Sequence, residues 1–186
     1  MMKTFLAGAF MGLMTCAALA QAPASNKPDV KTVQDWAVRC FPVDSPSPCD
    51  MFQELDNQRT GQRVVSLSFA FYPALNRHAL VIAVPLEVSI AKGLKLQTST
   101  YTSPILKYRR CDRNGCYVEM AVENGMIESL AASSGDAGKV AIAADNGKLF
   151  NLNFSLKGFV AAHDDMVSQA RAKAKTPATP APAANP

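Results

Sequence analysis

The chain has 186 residues, a formal net charge of +4, 48% hydrophobic and 18% charged residues, five cysteines, two histidines and one tryptophan. Once its two atypical ends are set aside, that length suits one domain with a single core. Part of the positive charge sits in a C-terminal tail, and no basic stripe remains to suggest a nucleic-acid surface.

Met1-Met2-Lys3 supplies a short positive segment, followed by an uncharged apolar run from Phe5 to Ala20. The run is shorter than the roughly 20 residues a membrane span requires. Ala18-Leu19-Ala20 has the small-x-small pattern of a signal-peptidase site, so residues 1–20 read as a signal peptide and Gln21 as the mature N-terminus. Cys16 offers the rival reading of a lipidated cysteine, but the bulky Leu13-Met14-Thr15 before it disfavours that. Residues 21–34 read as a linker, and 35–168 as the folded domain.

Trp36, beside Cys40 in the first strand expected from the pattern, reads as a core plug. Between Arg63 and Tyr72 apolar residues recur at 65, 67, 69 and 71, the period of a strand with one buried face. Leu80–Val84 is continuously apolar and stops at Pro85, as a strand buried on both faces would. Leu94 and Leu96 alternate with polar neighbours, as do Tyr117–Glu123 and Leu149–Phe154. Turn chemistry separates these runs at Asn57–Gly61, Asp112–Gly115, Asn124-Gly125 and Asn146-Gly147. Short helices are expected over Met126–Ser133 and Phe159–Lys173. The predicted class is all-β, mainly an antiparallel β-sandwich or a barrel-like sheet, with one or two short helices. From Gln169 the chain is Ala, Lys, Arg, Thr and Pro, a composition that cannot bury enough apolar surface to offset its ordering entropy. Residues 169–186 therefore read as a disordered tail.

Beyond the signal peptide there are four cysteines, Cys40, Cys49, Cys111 and Cys116. An even set in an exported chain points to disulfides, for which three connectivities exist. Pairing neighbours is the most economical: Cys40 with Cys49 around FPVDSPSP, and Cys111 with Cys116 around DRNG. A zinc site would need a second close pair or added histidines. A redox dithiol needs C-x-x-C at a helix start, whereas Cys116 leads into a strand pattern.

Catalytic signals are weak. His78 precedes a buried strand and reads as a turn or strand-edge residue. His163-Asp164-Asp165 sets a base beside carboxylates, but adjacent residues on a helix point apart. No nucleophile elbow, zincin helix, cofactor loop or metal motif occurs. The chain accordingly reads as a non-enzyme without cofactor that binds a protein or cell-envelope component. The alternative is an envelope hydrolase or thiol oxidoreductase whose site assembles only in three dimensions; a third reading is a chaperone-like protein offering a sheet edge. The residues singled out for binding are Arg109, Arg110 and Arg113 on the expected hairpin, with the Tyr72–Arg77 loop as a second place, because interfaces favour arginine and aromatic side chains.

Several of these segments together resemble the invasion-associated locus B family of exported bacterial proteins. They are the DWAVRC opening at Asp35–Cys40 with Cys49, Val84-Pro85-Leu86 leading to Gly93–Leu96, the Cys111-x₄-Cys116 element with Gly115, and the closing Ser155–Ala162. The resemblance implies a periplasmic or surface-associated β-rich domain without known catalytic residues, named for a role in host-cell invasion. Where relatives often turn through Asp-Gly after the Gly-x-x-Leu strand, this chain has Gln97-Thr98-Ser99-Thr100.

Overall fold

The computed structural model describes residues 27–175; the expected signal peptide, Cys16, Gln21 and the tail beyond Lys175 lie outside these. Ten strands and two helices follow in chain order. Seven strands form one antiparallel sheet: β1 (Asp29–Val33), β2 (Trp36–Cys40), β3 (Cys49–Asp56), β4 (Arg63–Tyr72), β5 (Arg77–Val84), β8 (Gly115–Val122) and the short β7 (Arg110–Asp112), in that spatial order. A smaller sheet has the order β10 (Leu149–Ser155), β9 (Ala137–Ala143), β6 (Leu94–Gln97). Helix α1 (Asn124–Ala132) links β8 to β9, and α2 (Phe159–Lys175) closes the described chain. Both sheets are open, so the barrel alternative does not apply.

The period-two pattern of β4 works as expected. Val65, Leu67, Phe69 and Phe71 are buried while Ala70 and Tyr72 are half-exposed. In β5, Leu80, Ile82 and Val84 enter the core and Ala83 is buried too, but Val81 is half-exposed, so the strand is less enclosed than its apolar run suggests. Register carries these inward residues across the sheet, setting Phe69 opposite Met51 and Leu80, and Leu67 opposite Gln53 and Ile82. Helix α2 packs on β2, β3 and β4. Its Phe159, Ala162, Met166 and Ala170 are fully buried in one core that also holds side chains of the small sheet and α1.

Trp36 is 1% exposed and meets Phe69 and Phe159 edge-on, with ring centroids 6.0 and 5.5 Å away. Phe69 and Phe159 are themselves 5.5 Å apart. Such aromatic pairs add about 0.5–1.5 kcal/mol each beyond simple burial. Gln53 joins the two sheets through a polar clamp: its Nε2 donates to the Asp35 and Ser155 carbonyls at 2.8 and 3.2 Å, and its Oε1 accepts from Ser155 N at 2.8 Å. Gly158, at φ +82°, lets the start of α2 approach the β1–β2 turn; a Cβ there would lie 2.7 Å from that of Gln34.

Several boundaries differ from the sequence reading. Asp29–Val33, within the expected linker, is an edge strand paired with β2 along its length. Asn124-Gly125, expected as a turn, opens α1 instead. α2 extends beyond Ser168 into the expected tail, and Ala170 is fully buried. The Gln97–Thr100 segment has a local explanation. Ser133, 1% exposed at the end of α1, gathers the hydroxyls of Thr98, Ser99 and Thr100 at 2.9, 3.3 and 2.7 Å, tying the loop after β6 to the helix.

Candidate binding surface

The three arginines converge on the β7–β8 hairpin at the free edge of the large sheet. Arg110, Cys111 and Asp112 pair with Tyr117, Cys116 and Gly115 across a turn of Arg113 and Asn114. The Cys111–Cys116 disulfide bridges directly opposed residues, as Cys40–Cys49 does between β2 and β3. Asp112 Oδ1 accepts the Asn114 N–H at 2.8 Å, closing the turn. That bond, first among several, holds the Asp112 carboxyl below its ordinary range. Gly115 has φ +142°, and a Cβ there would meet the Val84 carbonyl at 2.3 Å. Of Asn114 and Gly115 in the turn, only the glycine adopts a positive φ.

The arginines do not play equal parts. Arg110 donates from Nε to Glu119 at 2.8 Å and from Nη1 to Asp112 at 2.6 Å, and its guanidinium lies 3.9 Å over the Tyr117 ring. The Glu119 bond leads in raising the guanidinium's pKa further. Arg110 therefore serves the hairpin itself. Arg109, whose side chain is 73% exposed, reaches Glu119 only at 3.4 Å. Arg113 is exposed in the turn. Arg63, from the start of β4, donates to the Asn114 carbonyl and brings another cation to the same place. Four arginines are thus gathered at the hairpin, against the carboxylates of Asp112 and Glu119.

Register puts Arg110, Asp112, Tyr117 and Glu119 on the sheet face opposite the core, because directly paired residues of neighbouring strands point the same way. The same face carries Ser68, Ala70, Ala79 and Ala121, which are short and half-buried or exposed. At its far side Arg39 repeats the arginine–aromatic–acid motif. It lies 3.8 Å over Phe52, its Nε donates to Asp50 Oδ1 at 2.9 Å, and Ser68 Oγ donates to Asp50 Oδ2 at 2.7 Å.

The Tyr72–Arg77 segment is the β4–β5 hairpin, with Leu75 64% exposed at its tip. It is tied to the end of α2 by Arg171 Nη2, which donates to Asn76 Oδ1 at 2.8 Å. Tyr108 carries a buried hydroxyl without a hydrogen-bond partner, and burial pushes its pKa up to about 12.

The two histidines, far apart in the chain, meet in the fold. His78, 8% exposed in β5, lies with its Nε2 3.0 Å from Nε2 of His163 on α2. His163 Nδ1 in turn contacts Asp164 Oδ1 at 3.1 Å, so these helix neighbours do interact despite their adjacent positions. The strand-edge reading of His78 correctly places it near a strand end but misses its partner, which lies 85 residues away in the chain. Among the described residues no three histidine, cysteine or carboxylate side chains are grouped to hold a metal ion.

The family described as Invasion associated locus B (IalB) protein matches residues 36–167. Invasion protein B homologs of two Brucella abortus strains, 2308 and biovar 1 strain 9-941, are each 28% identical over 161 residues, covering 86% of this chain and 91% of the relative. The crystal structure of invasion associated protein b from Bartonella henselae shares the fold with a TM-score of 0.65 at 21% identity, over 75% of this chain and 96% of that one.

Proposed function

The chain belongs to the invasion associated locus B family, and from that membership we propose an exported, non-enzymatic binding protein acting at the cell envelope or surface. Its partner is an anionic protein or envelope component, met through the β7–β8 hairpin. The observation that carries this reading is the division of labour among the arginines. Arg110 and the disulfide hold the hairpin, leaving Arg109 and Arg113 exposed on a rigid support. Prior ordering of such groups lowers the entropy cost of association, and an excess of one charge speeds encounter with an opposite partner.

The names of the Brucella and Bartonella relatives support a role in invasion for the partner contact. The predicted signal peptide supports export, with the periplasm or outer surface as destination. Crosslinking in intact cells followed by capture of the chain tests the contact. A partner captured by the wild type and lost in a double variant Arg109→Glu, Arg113→Glu with unchanged thermal unfolding is the expected outcome. Equal capture by both chains removes the hairpin as the site.

A further inference from the structure

The two histidines are the only ones in the chain, and their geometry dictates where protons sit. With Asp164 ionised it can only accept, so His163 donates from Nδ1. A neutral His163 then has a lone pair on Nε2, and the 3.0 Å contact requires His78 to donate from its own Nε2. His78 Nδ1 is left as a lone pair, and this atom is buried without a hydrogen-bond partner. The neutral pair is thus satisfied at every N–H, with only an acceptor idle.

Adding one proton forces an unpaired donor into the core. If the proton goes to His163 Nε2, His78 must move its own proton to Nδ1 to keep an acceptor facing its partner. If it goes directly to His78, it again lands on Nδ1. Either route leaves an N–H on the buried His78 Nδ1 with nothing to receive it, and the second also places the positive charge on that ring. A second proton sets two N–H groups and two charges against each other across 3.0 Å.

The surroundings do not relieve this. Phe71 of β4 packs against His78 with centroids 5.0 Å apart, and Phe159 of α2 stacks on His163 at 6.4 Å. Arg171 of α2 adds a cation 5.2 Å over the Phe71 ring. Asp165 of α2 is tied to Lys31 of β1 at 2.9 Å. Arg77 on β5, Glu123 at the end of β8 and Glu128 on α1 are exposed. Among the described residues Asp164 is the one carboxylate bonded to either ring, and it serves His163 alone.

We propose that the His78–His163 pair is an acid-sensitive latch, which fastens α2 to the β4–β5 hairpin when neutral and loosens it when protonated. Burial and the His163 charge both disfavour protonated His78, whose pKa is brought down to about 4. Loosening α2 uncovers the aromatic cluster of Trp36, Phe69 and Phe159.

Trp36 is the only tryptophan and touches α2 through Phe159, so its emission reports docking of the helix. Two histidine resonances in NMR report the protons directly. On lowering pH from 7.5 to 3.5, the wild type should show one histidine titrating well below 6 and a red shift of Trp36 emission in the same window. His78→Phe, which removes the buried nitrogen, should keep α2 docked and move the emission midpoint down by about one pH unit or more. His163→Gln, tested in parallel in case His78→Phe does not fold, should likewise shift it. Two histidines titrating independently near 6.5 would overturn the latch, as would an unchanged emission midpoint in a folded variant.

Discussion

At the scale of single residues, a cross-strand disulfide and a carboxylate-closed turn hold the β7–β8 hairpin. Gly115 is the residue on which it depends most. Its φ of +142° is one that L side chains rarely adopt, and an added Cβ would strike the Val84 backbone. Gly115→Ala should therefore lower stability by about 2–3 kcal/mol, through backbone strain and overpacking together. Urea unfolding checks this, and a loss below about 0.5 kcal/mol would mean the hairpin shifts freely. Glycine and the cysteine spacing were legible in the sequence because each acts locally. The unequal roles of Arg109, Arg110 and Arg113 were not, since Arg110 is claimed by Glu119 and Tyr117 across the strand pair. The histidine contact was equally hidden, because nothing near His78 in sequence points to α2.

At the scale of elements, legibility followed how faithfully a strand's pattern reflected its faces. β4 matches its predicted bounds because its inward positions are all large and apolar. β3 breaks the rule at Gln53, a polar residue buried because both its amide groups are satisfied across the two sheets. β9 is mostly Ala and Gly, too small to mark a face, and β1 is exposed apart from half-buried Val33. The tail boundary failed for a different reason. Ala-rich sequence lacks apolar bulk, but Ala170 fits close against the sheet where a larger side chain would not be needed. Ending the chain at Ser168 should consequently destabilise it by about 1–3 kcal/mol relative to a chain ending at Lys175, by loss of buried contacts. Thermal unfolding of the two chains measures the difference. Replacing Cys40 and Cys49 by Ser should cost about 2–3 kcal/mol, since the disulfide closes a nine-residue separation. A comparison of urea midpoints with the oxidised wild type measures that loss.

At the scale of the whole molecule, the fold is a large sheet with one face committed to the core and the other carrying short side chains between two arginine–aromatic clusters. Its stability should depend on pH in a window set by His78. The folded value near 4 lies below the ordinary 6.5 of an unfolded histidine, so the unfolded state takes up the proton first. Stability is thus retained above about 6.5 and lost as pH falls toward 4, by on the order of 2 kcal/mol after allowance for solvent screening. The Asp112 contribution has the same sign but falls away only lower, through the carboxylate range, because its folded pKa is depressed. Urea midpoints at pH 7 and pH 4.5 test the histidine part separately from the carboxylate part.

The contact role proposed for the β7–β8 hairpin makes Arg109 and Arg113 its critical residues. Deletion of the gene followed by complementation tests this most directly, using wild type and the folded double variant Arg109→Glu, Arg113→Glu. The wild type should restore host-cell invasion or envelope integrity, and the variant, exported at equal level, should not. Full restoration by the variant would contradict it.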